Sequence, residues 1–306
     1  MLKNALFGGV NAAVLTGYHA DLSLDLDRMA AHSRWLLANG CNGLGILGTT
    51  GEANSPGISE RIAVMEGLIE RGIPAATLLP GCGTTAIPDT VKLTRRAAEL
   101  GIRGVLLLPP FFYKNPSDDG LFAYYSEVAQ RVGGGVKLYF YHFPAQSAVP
   151  IGLSLIARLL RAHPGVFKGI KDSTGDWANT KSYADAFAAE GFEVYCGDDS
   201  LLHANLNNNG AGCITAAANV GCAVSQQVYR NWNNPQGEAA QAILTAIRRA
   251  VTSMPLIPAL KSLVARNTGN PAWTIIRPPH LKLAVEQEAK LFAAFDACGV
   301  TLAKAA

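Results

Sequence analysis

The chain has 306 residues, 49% hydrophobic and 16% charged, which allows one large α/β domain and is too apolar for intrinsic disorder. A net charge of +3, with no basic cluster larger than a pair, argues against a nucleic-acid-binding surface. The apolar runs are far shorter than the ~18 residues of a membrane span, and the first residues do not resemble a secretory signal, so we expect no membrane association.

Short apolar runs alternate with amphipathic stretches along the first three quarters of the chain. The runs predict eight strands, at 8–15, 43–47, 75–79, 104–108, 136–141, 166–170, 193–196 and 212–215. The stretches between them predict helices at 26–38, 59–70, 84–100, 120–131, 153–162, 177–189 and 200–207.

Strands that alternate with helices form parallel βαβ units with right-handed crossovers. Eight such units within about 220 residues favour a (β/α)8 TIM barrel, and we assign it residues 1–224, including the active site. An open, doubly wound parallel sheet is the alternative, since eight strands by themselves do not require closure.

Strand signals stop after residue 224, and the remaining pattern predicts helices at 226–232, 236–252, 257–267 and 281–298. We therefore predict a C-terminal helical extension over 225–306 that packs on the barrel and is not an independent domain.

Six cysteines are scattered through the chain without a Cys-x-x-Cys pair, and several lie in apolar surroundings. We expect small, reduced core residues and a cytoplasmic protein. No group of histidines, cysteines and carboxylates has the spacing of metal ligands, so we expect no bound metal.

A lysine stands at the end of the sixth predicted strand, in the sequence Gly-Ile-Lys-Asp-Ser-Thr-Gly (169–175). Most lysines near strand ends are solvated surface groups. Burial, however, destabilises the charged form of an amine, and a neutral amine can attack a ketone to form a Schiff base. Lys171 is therefore a candidate nucleophile.

Two further segments place polar groups at the carboxyl ends of predicted strands. Gly-Thr-Thr-Gly-Glu (48–52) follows the second strand, where its glycines permit a tight turn with backbone N–H groups facing an anion such as a 2-oxo acid carboxylate. A plain structural turn is the alternative. Tyr141 ends the fifth strand and is a candidate acid/base, whereas the alternation of strand side chains turns His142 to the opposite, structural face.

These segments occur in order on the second, fifth and sixth predicted strands: Gly-Thr-Thr-Gly-Glu (48–52), Tyr-His-Phe-Pro (141–144) and Gly-Ile-Lys-Asp-Ser-Thr-Gly (169–175). Together they resemble the dihydrodipicolinate synthase / N-acetylneuraminate lyase family of class I aldolases, and the resemblance covers nearly the whole chain. It implies a homotetramer built from tight dimers, acting on a small 2-oxo acid and an aldehyde, with no cofactor.

The resemblance also implies roles for individual residues. Lys171 would form the imine with pyruvate or a related 2-oxo acid, Tyr141 would be the acid/base, and Thr49 would link that tyrosine into a hydroxyl relay. Thr50 and the neighbouring backbone, including Gly48, would hold the substrate carboxylate. The remaining pocket residues implied by the resemblance are the carbonyl of Ile214 and Gly197.

The chain departs from the family pattern at three places. Gln146 stands where the synthase branch usually has an arginine that binds the carboxylate of the aldehyde, and an amide makes no bidentate ion pair. The loop at 109–116 is one residue longer, which leaves Phe112 or Tyr113 at the position of the inter-subunit tyrosine. We assign Tyr113 to the pocket or interface. Thr49 replaces the serine of the lyase branch but keeps the hydroxyl.

The function expected from these observations is a Schiff-base-forming lyase, similar overall to dihydrodipicolinate synthase. The alternative is a 2-keto-3-deoxy sugar acid aldolase or dehydratase, because the amide of Gln146 suits sugar hydroxyls better than a carboxylate. A non-catalytic binding protein on the same scaffold is disfavoured because the lysine and the tyrosine are both kept. A nucleotide-cofactor enzyme is also disfavoured, because Gly-Cys-Gly-Thr-Thr-Ala (81–86) lacks the third glycine of the phosphate-binding turn.

Overall fold

The computed structural model describes residues 1–304 and contains a seven-stranded parallel sheet surrounded by helices. The strands are β1 Gly9–Ala13, β2 Gly43–Gly45, β3 Gly104–Leu107, β4 Lys137–His142, β5 Phe167–Asp172, β6 Glu193–Cys196 and β7 Gly212–Thr215. They are ordered β2-β1-β7-β6-β5-β4-β3, so the first and last strands are neighbours. A doubly wound open sheet lacks that contact, and the predicted α/β class with parallel strands is confirmed.

Within residues 1–304, twelve α-helices accompany the strands. They are α1 Leu26–Ala38, α2 Ile58–Glu70, α3 Ile87–Glu99, α4 Asp118–Val132, α5 Pro144–Ser147, α6 Leu153–Ala162, α7 Trp177–Phe187, α8 Leu202–Asn207, α9 Ala218–Arg230, α10 Pro235–Thr252, α11 Leu256–Thr268 and α12 Val285–Asp296. No single helix in this part of the chain is long and apolar enough to cross a membrane, and only the bent pair α10–α11 reaches that length and composition.

The predicted strand at 75–79 is wrong. Ala75–Thr77 forms a 3-10 helix after Pro74, and Leu78, which follows it, is extended. The segment 78–82 makes only isolated bridges, from Leu78 to Leu44 and from Gly81 to Leu106. Pro80 lies in its middle and has no N–H to donate, which explains why no regular ladder forms.

The 78–82 segment nevertheless connects the two edges of the sheet. Its backbone makes hydrogen bonds on both sides: Leu79 N–H donates to the carbonyl of Leu44 in β2, while Cys82 N–H donates to that of Leu106 in β3. The N–H of Leu106 returns a hydrogen bond to the carbonyl of Pro80. The sequence identified the right place for an element here but the wrong conformation.

The interior of the curled sheet is filled by aromatic and aliphatic side chains around one buried carboxylate. The hydroxyls of Tyr139 and Tyr195 donate to Oε2 of Glu193 over 2.9 and 2.7 Å, and the N–H of Leu6 donates to Oε1 over 2.7 Å. Gly169 makes room, since a Cβ there would lie 2.9 Å from the Tyr139 ring. These packed side chains fill the interior of the sheet beneath the carboxyl ends of the strands.

The C-terminal helices share the main hydrophobic core with the sheet: Leu244 of α10, Leu260 of α11 and Phe295 of α12 all belong to it. Helix α9 begins at Ala218 and crosses residue 224, so it starts earlier than predicted. The division of the chain into 1–224 and 225–306 stays a prediction. All six cysteines are free thiols.

The 78–82 segment yields a stability prediction. A Cβ at Gly81 would lie 2.2 Å from the carbonyl oxygen of Leu47, which is backbone and cannot swing away. We expect Gly81→Ala to lower the free energy of unfolding by about 1–3 kcal/mol, measured by urea denaturation. Gly134→Ala is the control, because no atom lies within 4 Å of that site. Equal stability of the two variants would contradict this packing.

Candidate active site

A cavity of about 760 Å³ opens at the carboxyl ends of the strands. Its walls come from the loops after six strands, and residues of α10, α11 and the following loop also line it. The candidate residues in its lining are Gly48, Thr49, Thr50, Tyr141, Gln146, Lys171 and Gly197. Clefts of this size at this end of a parallel sheet are the usual position of a ligand site.

Lys171 extends from β5 into this cavity. The residue is 5% exposed, and its Nζ lies 4.3 Å from the centroid of the Tyr141 ring. The two residues are direct partners in the β4–β5 register, which fixes their separation through the backbone. Within residues 1–304 the amine makes no ion pair with a carboxylate. It is thus a buried amine facing open space beside a phenol.

The phenol of Tyr141 is held by the loop that follows β2. Its hydroxyl and Oγ1 of Thr49 share a hydrogen bond of 3.0 Å, in which either can donate. Phe143 stacks beside the Tyr141 ring. The structure therefore brings the predicted nucleophile, phenol and hydroxyl together, and a proton can pass between the last two.

The turn at 48–51 has a backbone conformation suited to an anion. No atom lies within 4 Å of a Cβ built on Gly48, so its backbone borders open space. The N–H groups of Thr50 and Gly51 donate to no acceptor among the described residues. Leu47 and Glu52 flank the turn at φ of 55° and 57°, the left-handed region that non-glycine residues rarely adopt.

Glu52 is fixed in that conformation by a buried ion pair that the sequence reasoning missed. Nζ of Lys261 in α11 lies 2.6 Å from its Oε1, and the two side chains are 1% and 0% exposed. The amine also donates to the carbonyl of Ile275. Burial lowers the pKa of Lys261, against the opposing effect of Glu52. The sequence did contain one sign of this ion pair, namely a single lysine among the apolar residues of the helix at 257–265.

Behind Lys171, the next residue of β5 anchors the strand. Asp172 is fully buried and accepts hydrogen bonds from the hydroxyls of Thr180 at 2.6 Å and Thr174 at 2.9 Å. It also pairs with Nδ1 of His142 at 3.0 Å. Burial alone raises the pKa of Asp172, but these hydrogen bonds outweigh it and hold the pKa below its ordinary value. His142 belongs to this network and not to the cavity.

Of the other predicted residues, some line the cavity and some lie away from it. Gln146 sits in the short helix α5 and lines the cavity, as does Gly197, whose N–H donates to the carbonyl of Asp172. The side chain of Ile214 packs in the sheet interior. Tyr113 is 75% exposed and contacts Phe112 edge to face, away from the cavity of a single chain.

Two arginines also line the cavity and were not predicted. Arg61 comes from α2, and Arg248 comes from α10. Nε of Arg248 lies 3.4 Å from a carboxylate oxygen of Asp198, another lining residue. Both arginines sit on helices and outside the strand-end motifs, so the strand patterns did not indicate them.

Comparison with known proteins adds to this geometry. A profile of the dihydrodipicolinate synthetase family matches residues 6–297. The chain is 33% identical over 293 residues to an uncharacterized DapA-like lyase of Chloroflexus aurantiacus, covering 94% of this chain and 96% of the relative. It is 31% identical to 4-hydroxy-tetrahydrodipicolinate synthase of Listeria monocytogenes, with 94% and 98% covered.

Solved structures that resemble this chain also include members of this family. Dihydrodipicolinate synthase from Agrobacterium tumefaciens superposes with a TM-score of 0.87 at 32% identity, covering 95% of this chain and 99% of that one. YagE, a prophage protein from E. coli K12 solved in complex with pyruvate, gives a TM-score of 0.89 at 27% identity, with 97% and 100% covered.

The buried ion pair yields a second prediction. Lys261→Met leaves the Glu52 carboxylate buried without its cation, so we expect the free energy of unfolding to fall by about 3–5 kcal/mol. The loss in the double variant Glu52→Gln/Lys261→Met should be smaller than the sum of the single losses, because neither charge is left alone. Amide hydrogen exchange at 48–52 should also accelerate in Lys261→Met.

Lys290→Met is the matched control, since Lys290 is exposed on α12. Its unfolding and its exchange at 48–52 should match the wild type. Additive losses in the Glu52/Lys261 cycle would show that the two side chains do not act as a pair.

Proposed function

This chain belongs to the dihydrodipicolinate synthetase family and is a lyase of that family, and we propose that it forms an imine between Lys171 and pyruvate or a related 2-oxo acid. The observation that carries the proposal is the arrangement of the buried Lys171 amine beside the Tyr141 phenol, itself hydrogen-bonded to Thr49. The pyruvate complex of the similar protein YagE supports the choice of substrate.

The first step is the binding of the 2-oxo acid. Its carboxylate accepts hydrogen bonds from the free N–H groups at Thr50 and Gly51, which points its carbonyl at Lys171. The amine attacks the carbonyl carbon, and one water leaves as the imine forms. Tyr141, with Thr49 as its relay, supplies and removes the protons that these steps require.

The protonated imine then draws electrons from the neighbouring carbon. Loss of a proton from that carbon gives an enamine, which adds to the carbon of an aldehyde; in the reverse direction, C–C cleavage releases the aldehyde and leaves the enamine. After cleavage the enamine carbon takes up a proton to restore the imine, whereas after addition the imine is already present and the aldehyde oxygen takes up the proton. Hydrolysis of the imine then consumes one water, releases the 2-oxo acid product and regenerates the lysine. The proposal requires no cofactor, and the retained lysine, tyrosine and threonine disfavour a purely binding role.

Gln146 bears on the identity of the second substrate. By overall likeness the chain resembles dihydrodipicolinate synthase, but an amide at this point of the cavity bonds hydroxyl groups better than it binds a carboxylate. A 2-keto-3-deoxy sugar acid, cleaved or dehydrated, is therefore the alternative substrate. The proposal keeps both, with the synthase-like reaction as the family default.

The proposal also covers the fold of the whole chain, its assembly and its location in the cell. The seven strands and the 78–82 segment support a (β/α)8 barrel with a C-terminal helical extension. The exposed Phe112 and Tyr113 form an aromatic patch suited to a contact within a homotetramer of tight dimers. We also propose a cytoplasmic location, because the free cysteines fit a reducing compartment.

Imine formation is tested by reduction. Treatment with pyruvate and borohydride, followed by digestion and mass spectrometry, should place one reduced adduct on Lys171, and Lys171→Ala should give none. Tyr141→Phe should still be labelled but turn over roughly 10²–10⁴-fold more slowly, because only proton transfer is lost. The proposal would be rejected if the adduct formed on another lysine, or if none of the 2-oxo acids tested gave an adduct.

Gln146 is tested by changing its charge. If its amide bonds sugar hydroxyls, Gln146→Arg should not raise kcat/KM for a 2-keto-3-deoxy sugar acid, measured by pyruvate release. The same variant should improve use of a carboxylate-bearing aldehyde, because a guanidinium binds a carboxylate with two parallel hydrogen bonds. A large gain on the sugar acid would contradict the role assigned to the amide.

A further inference from the structure

Arg248 lines the cavity from the C-terminal part of the chain, and its guanidinium makes no hydrogen bond to the protein within residues 1–304. Its Nε lies 3.4 Å from Oδ2 of Asp198, and its Nη1 lies 3.7 Å from Oδ2 of Asp199. Both distances exceed about 3.2 Å, the upper limit of an ordinary N–H···O hydrogen bond. Because the side chain is 21% exposed, its N–H donors remain available to a ligand in the cavity.

The position of Arg248 is fixed by the packing of α10 on the segment that follows β6. Nε2 of Gln241 donates to the carbonyl of Asp199 over 3.0 Å, and its Oε1 accepts from the N–H of His203 over 2.9 Å. Arg248 follows Gln241 in α10 by about two helical turns, so the two side chains lie on the same face of the helix. The contacts of Gln241 therefore turn Arg248 toward the loop after β6.

Asp198 places a free acceptor beside these donors. Its Oδ1 accepts hydrogen bonds from the N–H and the hydroxyl of Ser200, over 2.9 and 2.6 Å. Its Oδ2 accepts no hydrogen bond from the described residues 1–304, and a Cβ built on Gly175 would lie 3.8 Å from it. Asp198 also lines the cavity, so donors of Arg248 and an acceptor of Asp198 lie side by side on its wall.

A hydroxyl group fits this arrangement better than a carboxylate does. A hydroxyl accepts from a guanidinium and donates to a carboxylate oxygen at the same time, whereas an ionised carboxylate only accepts. Two carboxylates already face the single charge of Arg248. Burial raises the pKa of Asp199, but even with that carboxyl protonated Arg248 and Asp198 together have no net charge. The site therefore has no surplus positive charge to attract an anion.

The sheet order places this wall away from the turn at 48–51. Asp198 follows β6, the neighbour of the strand that carries Lys171, whereas the turn follows β2, and β1 and β7 lie between β2 and β6. Gln146, after β4, lines the cavity on the other side of β5. The two carbon substituents of a ketone point in different directions. A 2-oxo acid with its carboxylate at the turn and its carbonyl carbon at Lys171 thus extends its other carbons away from the turn.

We propose that Arg248 and Asp198 form a hydroxyl-binding site for the distal carbons of the substrate, so that Arg248 selects a hydroxyl-bearing chain over a carboxylate-bearing one. The inference rests on the proposed function, because the imine at Lys171 is what places those carbons. Of the two substrates that the proposed function keeps, it favours the 2-keto-3-deoxy sugar acid. It also gives the C-terminal helices a part in substrate choice, since Arg248 belongs to α10.

The test compares three six-carbon 2-oxo acids that differ only beyond the third carbon. 2-Keto-3-deoxygluconate carries hydroxyls there, 2-oxoadipate ends in a carboxylate, and 2-oxohexanoate has neither. Borohydride trapping on the full-length protein gives the concentration of each acid that modifies half of Lys171, counting the pyruvate adduct where cleavage precedes reduction. In the wild type this concentration should be lowest for the hydroxylated acid by at least about tenfold, the scale of a hydrogen bond to a charged group.

Three variants test the residues. Arg248→Met should raise the half-modifying concentration of 2-keto-3-deoxygluconate at least about tenfold and change that of 2-oxohexanoate less than about twofold, because only the hydroxylated chain uses the guanidinium. Arg249→Met is the matched control, since Arg249 is the next residue of α10 and is exposed, and it should change neither value. Asp198→Asn keeps an acceptor oxygen but removes a negative charge, so trapping of 2-oxoadipate should improve. A merely structural role would not produce opposite responses to the two acids.

Pyruvate distinguishes a failure of this inference from a failure of the proposed function. It has no distal carbons, so its adduct should still form on Lys171 in Arg248→Met and Asp198→Asn, which shows that both variants fold. The hydroxyl-binding site is overturned, and the imine stands, if pyruvate labels the wild type but the hydroxylated acid labels it no more readily than the other two acids. The same holds if Arg248→Met matches the wild type or Arg249→Met. If pyruvate gives no adduct on the wild type, both proposals fall together.

Discussion

The buried ion pair between Glu52 and Lys261 is the contact on which the site depends. It joins the turn after β2 to α11, two parts of the chain that are far apart in sequence. The turn itself is unfavourable, because Leu47 and Glu52 both adopt left-handed backbone angles. A buried lysine aimed at one carboxylate supplies a reason for this conformation to persist, and the free N–H groups of Thr50 and Gly51 follow from it.

A second constraint comes from the register of β4 and β5. Tyr141 and Lys171 are direct partners, and the residues that follow them, His142 and Asp172, are partners as well. Side chains alternate between the two faces of a strand, so the first pair points into the cavity and the second pair points away from it. The outer pair is joined by a hydrogen bond between His142 and Asp172, and Asp172 also accepts from two threonine hydroxyls, so the strand ends that carry the amine and the phenol are held from behind.

The sequence was sufficient for features in which local pattern and chemistry agree. Lys171, Tyr141 and Thr49 each follow an apolar run, and parallel strands deliver such residues to one edge. It failed at 75–79, where the apolar run resembles a strand but Pro80 removes a donor. It also missed Lys261 and Arg248, because their significance lies in burial and in the partners they have or lack, and both depend on the tertiary fold. Tyr113 stayed undecided for a similar reason, since a loop tip on the surface of one chain contacts nothing that fixes its role.

The origin of Lys261 in the last third of the chain has a consequence for synthesis on the ribosome. Lys171, Tyr141 and the threonines at 49 and 50 are all translated before residue 200, yet the counterion of Glu52 emerges only with α11. Until then the turn that follows β2 lacks the buried cation that pairs with Glu52. A nascent chain can thus contain Lys171, Tyr141 and Thr49 and still lack the ion pair that holds the turn at 48–51, so the geometry of that turn is tied to completion of the C-terminal helices.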